Sequence, residues 1–132
     1  MAELDPKFLG LEELLEIHKD QIDKYGGSHG VRDMGLLQSA IAMPMAQFGG
    51  RFLHGDLFEM GAAYLFHIVQ NHPFVDGNKR TGAAVTDIFL AINGIDLKAD
   101  EQEFEKMVML VGQGKADKTQ AAKFLRDSTT SK

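Results

Sequence analysis

The sequence predicts an all-α fold. Apolar residues recur at helical spacing in successive segments, and capping residues stand ahead of several of them. Two stretches flanking one polar loop are apolar nearly all round, as expected for central helices.

The segment GLEELLEIHKDQIDKYGG places Leu11, Leu14, Leu15, His18, Ile22 and Tyr25 on one helical stripe, with Gly26 and Gly27 as a stop. Asp33 suits the cap of a second helix through Leu36, Leu37, Ala40 and Ile41, ending near Pro44. AQFGGRFLHG, Gly-rich and aromatic, reads as a loop or short hairpin. Asp56 followed by Glu59 resembles a capping box, opening a helix to about Asn71. A matching apolar segment runs from Asn78 to Asn93 and stops at Gly94. IDLKAD reads as a short extended piece. Asp100 caps a helix with the stripe Phe104, Met107, Val108 and Val111, and Thr119 starts a last short helix through Phe124 and Leu125. Residues 126–132, ending in DSTTSK, are expected to fray.

A chain of 132 residues has the length for one domain, 1–132, with a real core. No apolar run approaches the roughly 20 residues needed to cross a bilayer. MAELDPKF lacks a basic-then-apolar signal pattern, so a cytoplasmic protein without membrane contact is expected. The absence of Cys excludes disulfides, thiol nucleophiles and cysteine-bound zinc. A net charge of −5 argues against direct nucleic-acid binding. The pair Lys79-Arg80 runs against that balance.

That pair lies in NHPFVDGNKRTG, between the two central helices. Pro73 cannot continue the incoming helix, so the chain must turn near His72. Gly77 permits a tight turn, and Asn78 starts the next helix. The unpartnered N–H groups at that helix start, with the positive end of its dipole, form a site for an anion such as phosphate. Lys79 and Arg80 add charge there, the Arg able to grip phosphate with two parallel bonds. Asp76 supplies a hard oxygen of the kind Mg²⁺ uses beside substrate phosphates. His72, four residues earlier, has the side-chain type suited to a general base near neutral pH. Phe74 is expected to plug into the core. Taken singly, each residue fits an ordinary solvated turn; together they form a parts list for phosphoryl or nucleotidyl transfer.

The motif HPFVDGNKRTG resembles the signature of the Fic/Doc family, His-x-Phe-x-Asp/Glu-Gly/Ala-Asn followed by a basic segment. His72, Phe74, Asp76, Gly77, Asn78 and Arg80 all fall in place. Upstream, YGGSHGVRDMGLLQSAIAMP is similar to the N-terminal region of the death-on-curing (Doc) branch. The resemblance covers nearly the whole chain and implies a compact helical domain with two central helices joined by the motif loop and a short flap.

Two departures separate the chain from the AMP-transferring branch: Lys79 stands where that branch has Gly, and Ala83 where it has a second Arg. In the Doc branch the Lys goes with an inverted ATP whose γ-phosphate faces the attacking hydroxyl. The resemblance therefore implies a protein kinase that phosphorylates a Thr or Ser of a translation factor, elongation factor Tu in the Doc branch, and halts translation. On that reading His72 is the base and Asp76 holds Mg²⁺. Gly77, Asn78, Lys79 and Arg80 bind the phosphates of ATP, and Phe74 is structural. The flap, within Gln47 to Gly55, would align the substrate through Phe48, Gly49, Gly50, Arg51 and Phe52. Alternatives are AMP transfer to a protein hydroxyl and an inactive binding module. No segment fits the family's inhibitory helix, Ser/Thr-x-x-x-Glu-Gly/Asn, so the brake is expected to be a separate antitoxin protein.

Among the other polar residues, His18 reads as packed in the core, and His29 and His54 as exposed. His67 reads as a helix residue near the site but turned about 140° from His72. Met43, Met45 and Phe48 read as core, with a groove for a partner helix as the alternative. Lys24 fits either a surface position or a reach toward the phosphate site. Arg32 has no local role visible in the sequence.

Overall fold

The computed structural model describes residues 5–130 and contains six helices and one small hairpin. Helix α1 (Leu11–Tyr25) buries Leu14, His18 and Ile22. Its start is fixed by Glu13, whose carboxylate accepts the Gly10 N–H at 2.8 Å. The stripe turns outward at Tyr25, which is largely exposed. Helix α2 (Met34–Ala42) is capped by Asp33, which accepts the Leu36 N–H at 3.0 Å, as expected. The Gly-rich stretch forms the antiparallel hairpin β1 (Gln47–Phe48) and β2 (Arg51–Phe52), pairing Gln47 with Phe52 and Phe48 with Arg51.

Helix α3 (Leu57–Asn71) is the centre of the molecule and packs against α2, α4, α5 and α6. Asp56 caps it through the Glu59 N–H. The expected box is only half formed, because the Glu59 carboxylate takes the N–H of Gly55 instead of that of Asp56. Met60, Tyr64, Leu65 and Ile68 are fully buried, consistent with a segment apolar on all sides. Inside the core the Tyr64 hydroxyl donates to the Leu9 carbonyl and accepts the Leu9 N–H, tying the N-terminal segment to α3. Helix α4 (Asn78–Ile92) lies beside α3 and buries Val85, Phe89 and Leu90. Residues 95–100 pair with no strand, and α5 (Glu101–Gly112) is capped by Asp100 as expected.

Three expectations need correction here. The last helix, α6 (Lys118–Thr130), continues through residues expected to fray, leaving 131–132 outside the described residues. Arg126 explains part of this extension: its guanidinium reaches back 2.8 Å to Asp56 at the head of α3. Phe48 is 85% exposed rather than core, since the hairpin carries it away from the body, while Met43 and Met45 are half-buried. His54, expected in solvent, is only 8% exposed at the foot of the hairpin, where its Nδ1 has no hydrogen-bond partner.

Candidate active site

The site forms where α3 stops and α4 starts. His72 ends α3 in the left-handed region, φ 50° and ψ 54°, and is the one non-Gly residue with positive φ among those described. That conformation costs an L-residue roughly 1–2 kcal/mol, so the surroundings must enforce it. Gly77 opens α4 at φ 74°, where no Cβ has to be accommodated. Between them Phe74 is fully buried, and His18 stacks on its ring at 3.9 Å with the planes 5° apart. His18 Nε2 also donates to the Asp76 carbonyl at 2.8 Å. A core histidine, as expected, thus holds down both ends of the Phe74-Val75-Asp76 arc.

The segment between α1 and α2 braces the loop from the other side. Arg32 and Asp33 N–H groups donate to the Pro73 carbonyl at 2.7 and 3.0 Å. Val75 N–H donates to Gly30, and Val31 bridges Phe74. The Asp76 carboxylate is oriented by backbone: Oδ1 accepts the Gly77 N–H at 2.8 Å and Oδ2 the Ser28 N–H at 3.2 Å. Gly27 leaves room for it, because a Cβ there would stand 2.8 Å from Oδ2.

These constraints turn His72 and Asp76 into one cavity of about 310 Å³, lined also by Val75, Gly77, Asn78, Lys79 and Arg80. No side chain caps the N-terminus of α4, so its first-turn amides and the positive end of its dipole face an incoming anion. A second cavity of about 600 Å³ opens between α1, α4 and α5 and shares Lys79 and Arg80 with the first. Among the described residues no three His, Asp or Glu side chains gather as a metal cage. A cation here would take Asp76 and draw its other ligands from phosphate and water, the habit of Mg²⁺.

The match to the sequence profile of the Fic/DOC family spans residues 8–90, more than half of the chain. The chain belongs to the Fic/DOC family. It is 32% identical to the protein named Protein kinase doc of Escherichia phage P1, over 87% of this chain and 90% of that protein. It is 46% identical to Toxin Doc of Mycolicibacterium smegmatis over 76 residues, a match that spans 58% of each protein. Membership covers both the motif loop and the α1–α2 segment that supports it.

Within this Fic/DOC site several of the expected side chains already have protein partners. Asn78, expected to bind phosphate, is only 6% exposed. Its amide oxygen accepts the Phe74 N–H at 2.9 Å and its nitrogen donates to the Phe74 carbonyl at 3.0 Å, so the side chain is tied to the loop while the residue still lines the cavity. Its nitrogen also lies 3.4 Å from His72 Nδ1, too long a contact to dictate the tautomer. Arg80 donates to the Gly26 carbonyl at 2.9 Å and rests over the Tyr25 ring. Lys79 is exposed at the junction of the two cavities.

Other residues fall outside the site. His67 faces α6, with Lys118 Nζ 3.2 Å from its Nε2; burial first, then Lys118 and His54, push its pKa down to about 4. His29 is exposed as expected, 3.0 Å from Asp23. Lys24 pairs with Asp20 at 3.2 Å instead of reaching the phosphate site. The flap residues Phe48 to Phe52 do not line the small cavity. The contacts of Arg32 were concealed in the sequence, because its partners, the carbonyls of Asn71 and His72, lie about forty positions away.

Proposed function

We propose that the chain is a Doc-like toxin that transfers the γ-phosphate of ATP to a Thr or Ser hydroxyl of a translation factor. The observation that carries this reading is the shared cavity of His72, Asp76 and the uncapped start of α4. His72 takes the proton of the attacking hydroxyl, raising its nucleophilicity. The α4 amides receive phosphate oxygens, and Lys79 and Arg80 offset the charge of the triphosphate. For Arg80 this means releasing the Gly26 carbonyl and the face of Tyr25. Asp76 would hold Mg²⁺, which supplies charge neutralisation at the phosphates.

The kinase reading is favoured over AMP transfer by Lys79, whose stem occupies the position of the Gly found in the AMP-transferring branch. Exposed Phe48 and the flap backbone suit the docking of an extended substrate segment beside the site. The name Toxin Doc supports reading the chain as a toxin and the name Protein kinase doc supports the kinase reaction; the brake on such a toxin would be a separate antitoxin protein. The test is to incubate the purified chain with ATP, Mg²⁺ and elongation factor Tu and to measure the intact mass of the factor. A phosphate increment that disappears with His72→Ala supports the proposal; an adenylate increment replaces it with AMP transfer.

A further inference from the structure

Arg32 is exposed and faces no carboxylate partner in the hydrogen bonds it makes, yet its guanidinium is held at two points. Nε donates to the His72 carbonyl at 2.6 Å and Nη2 to the Asn71 carbonyl at 2.8 Å. Its own N–H donates to the Pro73 carbonyl at 2.7 Å. One residue therefore grips three consecutive carbonyls across the bend that puts His72 at φ 50°.

We propose that Arg32 is the positioning residue for His72, holding its backbone in the left-handed conformation that aims the imidazole into the cavity. The inference rests on the reading of His72 as the base and adds what fixes it. Two physical effects act together. The planar fork satisfies both carbonyls at once, and a Lys, with one compact ammonium on a flexible stem, cannot reproduce that geometry. The guanidinium also covers the negative end of the α3 dipole, which would otherwise face a phosphate bound at the neighbouring α4 N-terminus. The nearby charged groups are consistent with this assignment: Asp33 is engaged in capping α2, and Asp76 is held by Ser28 and Gly77.

The test compares wild type with Arg32→Lys and Arg32→Ala. The ¹³Cα and ¹³Cβ NMR shifts of His72 report its backbone conformation, and steady-state kinetics report kcat and the KM for ATP. In Arg32→Lys the NMR signals should leave their left-handed values. The value of kcat should fall about tenfold to a hundredfold, the scale of a misplaced catalytic group, with the KM for ATP moving much less. If Arg32→Ala does not fold, Arg32→Lys alone carries the test. Unchanged His72 signals in the variants overturn the inference. So do altered signals with unchanged kcat, which make Arg32 a structural clamp only. A wild-type chain that transfers nothing would refute the proposed reaction, while the NMR signals would still decide whether Arg32 sets the bend.

Discussion

The side-chain amide of Asn78 closes on the backbone of Phe74, accepting its N–H at 2.9 Å and donating to its carbonyl at 3.0 Å. The first residue of α4 thereby ties off the loop that precedes it, and the arc carrying Val75 and Asp76 becomes a closed ring rather than a free turn.

Replacing that amide should loosen the ring. Asn78→Asp keeps an acceptor for the Phe74 N–H but sets a carboxylate oxygen against the Phe74 carbonyl. Losing a buried bond in this way costs about 1–3 kcal/mol. The urea midpoint should drop accordingly and transfer should fall with it. A variant with wild-type stability would show that the ring is held by other contacts.

Gly77→Ala probes the same bend from the backbone. A Cβ at φ 74° would be strained and would stand 3.0 Å from Ile22 Cδ1. A loss of roughly 1–2 kcal/mol is expected from the left-handed conformation. Weaker protection from melting by ATP with Mg²⁺ should accompany it, since the same residue presents the α4 amides. Full protection in the variant would contradict the placement of the phosphate site.

The stability of the fold should also depend on pH through His67. The unfolded chain binds a proton near the ordinary value of 6.5, whereas the folded chain resists it to about 4. Between these values the unfolded state holds more protons, so stability is intact above 6.5 and is lost as pH falls toward 4. Each tenfold change in proton affinity is worth about 1.4 kcal/mol. Because the ring is only half-buried and solvent screens part of the effect, the loss is on the order of 2 kcal/mol. His67→Gln should lose less between about pH 7 and pH 4.5, the window in which the proton is taken up, as read from urea midpoints. Parallel losses in the two proteins would place the acid sensitivity elsewhere.

Much of this organisation was legible in the sequence. The capping roles of Asp33, Asp56 and Asp100, the burial of Phe74 and the grouping of His72 with Asp76 follow from local chemistry and appear in the structure. What escaped depends on partners distant in the chain. Arg126 reaches Asp56 across 70 positions, which prolongs α6. His54 reads as a loop residue until the hairpin folds it inward. The closing of the Asn78 amide on Phe74 was not visible either, because a polar residue at a helix start suits a loop clamp and a phosphate ligand alike.

Removing the Asp76 carboxylate should weaken the response to magnesium. Asp76→Asn retains the backbone contacts in part but lacks the full charge. Transfer should fall on the order of 10²-fold, the scale for losing one preorganised electrostatic group, and a chelator should abolish it in wild type. An Asp76→Asn variant with normal activity and an unchanged magnesium requirement would remove the carboxylate from the site.

The most direct measurement labels a cell extract with the purified chain and either γ- or α-labelled ATP, and needs no assumption about which protein is modified. Label from the γ-phosphate alone should appear on protein and should fall by about 10²–10⁴-fold with His72→Ala, the range for loss of a general base. Label from the α-phosphate, or equal labelling by His72→Ala, would contradict the account.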